Sequence, residues 1–415
     1  MEFLAVVVLL LSLIVLIGFI NEKTLKLTYE IALMLFSVAI GGIITLLALL
    51  IKGTTVFEGL SDVKLFDLEA FLMNGVLCFM LFAGSCHMKL RDFRRLARPV
   101  GVLAFVCTLL GAVIYGLLFY GIGAVAGLPF SLPMCLMFGS IVAPTDPIAA
   151  TSILNKFGLP KDTSFLIEGE SLLNDGVGVA LFVCFSGIVT NEAGKGFIAV
   201  MIREILGAAV TGIVVTLILY FIFKNTEDSK RRIFISLLNV AAAYYICEVM
   251  DFSGAIASVV CGVMFSTLRD RETERGHTID LSEFDCFWEI LDNLLNSLLY
   301  VMMGFSFIGI FKMEYVLLMS LAAVVCNLIA RFSSVFISTF LMGKVPDGFT
   351  RIKFSKLLTW GGLRGGLSIA LAMSTLTMLP DSAHRIVLGC TYAIVFFTTV
   401  VQGLTVKRVY EGMAH

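Results

Sequence analysis

From Phe3 to Ile20 the chain runs for 18 residues without a charge, and runs of similar length recur along all 415 residues. About 20 apolar residues in a helix cross the hydrocarbon core of a bilayer. Backbone in lipid must satisfy its own N–H and C=O groups, so runs of this kind pack as helices. Composition points the same way: 59% of the residues are hydrophobic and 15% are charged, against about 25% charged in an ordinary soluble domain. A soluble protein is excluded, and the segments between the runs are too short for a soluble regulatory domain. The start Met1-Glu2 lacks the basic n-region of a secretory signal and no small-residue cleavage pattern follows Ile20, so the first run is expected to remain as a permanent span.

Thirteen candidate membrane helices follow, near 3–20, 28–51, 67–87, 99–123, 131–155, 164–190, 197–223, 233–250, 252–268, 286–310, 315–342, 356–379 and 385–406. Lys and Arg divide unevenly between alternate connections: 22 lie on one side, while the other side holds only Lys52, Lys64, Lys195, Lys312 and Arg385. The positive-inside rule places the rich side in the cytoplasm, the N-terminus outside and the C-terminus inside. Three arginines remain within helices. Arg203, beside Glu204 near a helix start, can reach the interface. Arg331 and Arg364 fall near the middle of their spans, where an ionised group costs at least about 3 kcal/mol without a partner or water. Both are expected to need buried carboxylates.

The fifth candidate span reads Gly139-Ser140-Ile141-Val142-Ala143-Pro144-Thr145-Asp146-Pro147. Two prolines remove N–H donors and restrict the residues before them, so an unwound stretch near Thr145 is expected rather than a plain proline kink. Such backbone survives at membrane depth only against protein or a hydrated cavity. The sixth span opens Glu168-Gly169-Glu170-Ser171-Leu172-Leu173-Asn174-Asp175-Gly176. At 100° per residue Glu170, Asn174, Ser171 and Asp175 fall at roughly 0°, 40°, 100° and 140°, one polar arc. Ser171 and Asp175 are i,i+4 neighbours whose oxygens can meet one small, hard cation. An alternative for these acids is neutralisation of the two central arginines, a reading that suits Glu170 better than the deeper Asp175. The twelfth span frames Arg364 with Gly361, Gly362, Gly365 and Gly366. Two interrupted spans seven helices apart fit inverted repeats whose discontinuous helices cross at mid-membrane. Asp146 and Arg364 carry the signs that would offset the opposed helix dipoles there. Ten scattered cysteines without a C-x-x-C pair and four dispersed histidines suggest neither disulfides nor zinc.

With these residues in view, the chain resembles the sodium/proton exchanger superfamily, specifically the NhaP-type antiporters. The resemblance covers nearly the whole chain and rests on Ala143-Pro144-Thr145-Asp146-Pro147, on Glu168 to Gly176, and on Gly361-Gly362-Leu363-Arg364-Gly365. It implies an all-α polytopic transporter that exchanges Na⁺, or Li⁺ or K⁺, for H⁺ in a cell (inner) membrane, without cofactor, nucleic acid or enzymatic activity. Asp175 would hold cation and proton in turn, with Thr145 and Ser171 as further Na⁺ ligands and Asn174 as a neutral neighbour. Asp146 and Arg364 would belong to the helix crossing, and Glu170 would pair with Arg331. It also implies a homodimer and an elevator-like motion of a core bundle, near 67–190 and 286–406, against a scaffold near 3–51 and 197–268. All lie in one membrane domain, 1–415. Two departures stand out: Ala83 occupies the place near which many relatives carry a glutamate, and with nine residues after the last candidate span no long regulatory tail is expected.

Asp175 is expected to exchange the two ions one for one, because Asn174 cannot ionise. An organic-anion symporter on the same fold is the main alternative, although a carboxylate-rich site disfavours anions. A cation channel fits broken helices less well, and an intramembrane aspartyl protease lacks its motif contexts.

Overall fold

A computed structural model describes residues 2–50, 75–88, 90–146, 150–151, 154–155, 158–190, 197–274, 281–306, 316–346 and 348–414. Pro147, the start of the third candidate span, the end of the tenth and the connections carrying Lys52, Lys64, Lys89, Lys156, Lys195, Arg275 and Lys312 lie outside these residues. The described chain is helical apart from turns and one isolated bridge. Six of its helices are long and apolar enough to cross a membrane unaided: Phe93–Val125, Lys161–Val189, Ala199–Lys224, Ser229–Val249, Leu318–Met342 and Asp381–Met413. Leu132–Val142 and Gly366–Thr377 are shorter apolar helices that flank breaks. A count of thirteen continuous spans is therefore not fixed by helix length alone.

The first two helices, α1 (Glu2–Lys23) and α2 (Tyr29–Leu50), form a hairpin. Its tight turn carries Lys26 at positive φ and is pinned by Asn21, whose Nδ2 donates to the Leu27 carbonyl at 2.9 Å and whose Oδ1 accepts from the Leu27 N–H at 3.0 Å. α3 (Leu77–Cys86) follows. Next, α4 (Leu90–Gly101) passes through a π turn at Val102–Cys107 into α5 (Thr108–Val125). The helix thus begins at a stretch with Arg94, Arg95 and Arg98 rather than at residue 99, because these side chains find oxygens on neighbours: Arg95 pairs with Asp162 and Arg98 donates to the Leu341 carbonyl. α6 (Leu132–Val142) opens with Ser131 as N-cap, its Oγ accepting from the Met134 N–H, and with Pro133 inside the first turn.

α5 and α6 pack as a close antiparallel pair around small residues. A Cβ at Gly139 would collide with the Ala112 carbonyl, and one at Gly116 would lie 2.8 Å from the Cys135 carbonyl oxygen. Small residues let backbones approach where lipid offers no hydrophobic drive for association. Behind them stands α7 (Lys161–Val189), 29 residues long. α8 (Phe197–Lys224), α9 (Ser229–Val249) and α10 (Gly254–Glu274) pack against one another, and α3 packs on α10. Arg203, on α8, reaches the loop after α9, with its Nη2 2.9 Å from the Met250 carbonyl and its guanidinium over the Phe252 ring.

α11 (Ser282–Ser306) packs on α2 and α3, and α12 (Val316–Met342) on α5. Aromatic rings at the α3–α8–α10–α11 junction interlock: Phe82 meets Trp288 at 4.6 Å, and Phe265 meets Phe223 at 4.6 Å in an edge-to-face pair. The chain closes with α13 (Arg351–Gly361), α14 (Gly366–Ser374), α15 (Asp381–Phe396), a π turn at Phe397–Gln402 and α16 (Gly403–Ala414).

Candidate functional site

Two helices stop in the middle of the bundle. α6 ends at Val142, with Ala143 as its cap, because Pro144 disfavours helical geometry in the residue before it and brings no N–H. α13 ends at Gly361, and the extended Gly365 precedes α14. The two unwound stretches meet in one antiparallel bridge, with the Asp146 N–H donating to the Leu363 carbonyl at 2.8 Å.

The loose ends of these breaks are met by side chains. Arg364 Nη1 donates to the carbonyls of Ala143 at 2.5 Å and Pro144 at 2.8 Å, and its Nη2 to Asn327 Oδ1 at 3.0 Å. The guanidinium thus sits at the carbonyl end of α6, where the helix dipole is negative. Among the described residues Arg364 is held by neutral oxygens and not by the carboxylate expected of it. Freed backbone carbonyls are strong acceptors with nowhere else to turn. Asp146 lies beside Gly365, at the N–H end of α14, and its Oδ2 accepts from the Tyr300 hydroxyl at 2.7 Å. The π turn at Phe397–Gln402 presents Thr398, whose Oγ1 accepts from the Arg364 N–H, and Thr399, whose Oγ1 donates to the Arg364 carbonyl. Glycine allows these approaches: a Cβ at Gly362 would crowd the Arg331 guanidinium and one at Gly365 would crowd Asp146.

α7 crosses the first break with its polar arc. Asn174 Nδ2 donates to Thr145 Oγ1 at 2.8 Å and to Glu170 Oε1 at 3.1 Å, while its Oδ1 accepts from the Thr145 N–H at 3.2 Å. The Ser171 hydroxyl donates to the Thr145 carbonyl. Asn174 and Ser171 therefore replace the helical partners that Thr145 lost. On the same side Glu170 takes a two-pronged contact from Arg331, Nη1–Oε1 2.7 Å and Nη2–Oε2 2.9 Å, with the two side chains 1% and 5% exposed.

Asp175 points elsewhere. It is half-buried on the wall of a cavity of about 360 Å³ shared with Thr145, Asp146, Glu168 and Ser171, and it has no hydrogen-bond or ion-pair partner among the described residues. Residues with carboxylate and hydroxyl oxygens therefore line one cavity, a donor set suited to a small hard cation. From α3 the cavity wall is apolar, made by Leu77, Met80, Leu81 and Gly84, with Ala83 buried behind it.

The opposite wall holds residues that the sequence reading passed over. Asp292, Asn296 and Leu299 of α11 line the cavity, and Tyr300 reaches Asp146. A polar residue every four positions, Asp292, Asn296 and Tyr300, lies along one face of α11. That spacing was the available signal, and it is obscured in the sequence by Glu289 and Asn293, which lie among these positions.

The fold and these motifs have counterparts. The family model of the transmembrane sodium/hydrogen exchangers matches residues 5–412. The chain is 29% identical, across 97% of its length and 96% of the relative's, to a Na⁺/H⁺ antiporter NhaP from Pseudomonas aeruginosa. It is 31% identical, over 83% of its length and 84% of the relative's, to a Na⁺/H⁺ antiporter NhaH from Halobacillus aidingensis. In three dimensions it is similar to the sodium proton antiporter MjNhaP1 from Methanocaldococcus jannaschii, with a TM-score of 0.76, 20% identity, and coverage of 100% of this chain and 99% of that one. Crossed helix breaks, the polar arc of α7 and a family match over almost every residue make this chain a member of the sodium/hydrogen exchanger family.

Proposed function

We propose that this protein is a secondary antiporter that exchanges Na⁺ for H⁺ across a cell membrane, with Asp175 as the carboxylate that holds each ion in turn. The observation that carries this reading is Asp175 itself, a carboxylate without a partner among the described residues, on a cavity wall shared with Thr145 and Ser171, in a chain of the exchanger family. Na⁺ would be bound by Asp175 with oxygens of Thr145 and Ser171, and Asp146 would add negative charge at the crossing. The Glu170 charge is already matched by Arg331, and Asn174 is neutral. One titrating carboxylate then moves one positive charge each way, which makes the exchange electroneutral.

A bare carboxylate is costly to bury, and a bound Na⁺ or H⁺ each removes that cost. Movement of the crossing past the rest of the bundle only when Asp175 is neutralised would couple the two ions through alternating access. In this reading the core is near 67–190 and 286–406, the scaffold is near 3–51 and 197–268, and two copies join through the scaffold. The C-terminus lies in the cytoplasm, on the side richer in Lys and Arg.

The test is recovery of an imposed pH gradient in proteoliposomes on addition of Na⁺, Li⁺ or K⁺. Recovery that disappears in Asp175→Asn supports antiport through this residue. Absence of recovery with every cation, from folded and inserted protein, turns the assignment toward the organic-anion symporter.

A further inference from the structure

The cavity continues beyond Asp175 along α11. Tyr300, Asn296 and Asp292 are spaced by four residues, so each step moves about 6 Å along the helix. Tyr300 bonds Asp146 at the crossing. Asp292 is thus about 12 Å further along the axis, on the same cavity wall. Asn296 Nδ2 donates to the Asp292 carbonyl at 2.9 Å and to Asp292 Oδ1 at 3.0 Å. Both contacts are to acceptors, which fixes the amide with its nitrogen toward Asp292. Asn296 Oδ1 is left over: the residue is 4% exposed, it lines the cavity, and this oxygen has no partner among the described residues. A buried acceptor without a donor costs about 1–3 kcal/mol, a cost that a ligand would remove.

We propose that Asp292 and Asn296 form a second, outer station for a monovalent metal cation, which an ion occupies on its way between the cavity mouth and Asp175. The ligand chemistry is one carboxylate and one amide carbonyl, both hard oxygens, with water completing the shell. Asp292 supplies the charge that holds a partly hydrated ion. Asn296 uses its N–H groups to orient that carboxylate and presents its free carbonyl to the ion. This inference rests on the antiport reading above, and it adds a site that none of the three sequence motifs contains.

The experiment uses the full chain with Na⁺ as the probe. In proteoliposomes Asp292→Asn raises the KM for Na⁺ about ten-fold, equivalent to about 1.4 kcal/mol, with kcat falling by a smaller factor. Asn296→Ala shifts KM in the same direction, and Asp292→Glu recovers most of the loss. An unchanged KM, or equal losses of kcat and melting temperature without a KM shift, overturns the station and makes Asp292 structural. A second arm measures equilibrium binding of radioactive Na⁺ to Asp175→Asn protein in detergent. Weak residual binding that Asp175→Asn/Asp292→Asn loses supports the station, whereas binding that is absent or unaffected by the second substitution overturns it. A parent protein with no cation-driven flux would sink the antiport reading instead, and the binding arm keeps that failure separate from this one.

Discussion

Glu170 and Asp175 lie five residues apart on one helix, and their surroundings could hardly differ more. Glu170 is 1% exposed, with both oxygens on Arg331 and one of them shared with Asn174. Asp175 is half-buried, faces a cavity and has no partner among the described residues. Five residues along a helix turn the side chain by about 140°, enough to put one acid in the sealed interior of the bundle and the other on a water-accessible wall. A charge matched by a guanidinium in two places is held as an ion pair and is poor at exchanging ligands. A charge beside hydroxyls and a cavity is free to take a proton or a cation. The same arc thus divides into a fastening and a working group, with Asn174 between them.

The comparison breaks first at Asp175. Asp175→Asn removes the ionisable oxygen and keeps the shape, so exchange in proteoliposomes is expected to fall below one-hundredth of the parent rate, a barrier of at least about 2.7 kcal/mol. Detergent melting should remain at or above that of the parent, because a neutral amide replaces a carboxylate that has no partner among the described residues. Exchange that persists would move the carrier role to Asp146 or Asp292.

Glu170→Gln makes the opposite test. It leaves Arg331 buried with its charge unmatched, and breaking one side of a buried pair costs about 3–5 kcal/mol. Lower expression and a clear drop in melting temperature are expected, with surviving protein still exchanging ions. Melting equal to the parent would remove the distinction between the two acids. A smaller loss, about 1–3 kcal/mol from forced repacking, is expected for Gly139→Ala, where the new methyl meets the Ala112 carbonyl. Its effect should appear in stability and not in the KM for Na⁺, since the α5–α6 contact is away from the cavity wall.

How much of this could be read from the sequence depends on what kind of partner each residue has. The break at Thr145 was legible because Pro144 states its own consequence. The arc of α7 was legible because helical spacing alone places Glu170, Ser171, Asn174 and Asp175 together. Arg364 was misjudged as needing a carboxylate, since the oxygens that hold it are the Ala143 and Pro144 carbonyls, and backbone acceptors have no letter in a sequence. Asp292 and Asn296 were passed over because Glu289 and Asn293 sit among them, which makes that stretch resemble the polar end of a span. Which of those polar positions faces inward is decided by how α11 packs on α2 and α3. The helix start at Leu90 was hidden for a related reason: hydropathy ends a span at Arg98, whereas Arg95 and Arg98 are tied to Asp162 and the Leu341 carbonyl.

Thr145 offers the finest division of the arc, because it touches both halves. Its backbone is held by Asn174 and Ser171, and its Oγ1 accepts from Asn174. Thr145→Val keeps the shape and removes only the hydroxyl. If that oxygen merely satisfies Asn174, the loss is one hydrogen bond, about 1 kcal/mol, visible as a slightly lower melting temperature with the KM for Na⁺ unchanged. If it is also a cation ligand, KM rises several-fold, and the rise persists after stability is restored by a lower assay temperature. The second outcome is expected, because Thr145 lines the same cavity as Asp175. A KM that stays at the parent value would confine the working half of the arc to Asp175 and Ser171.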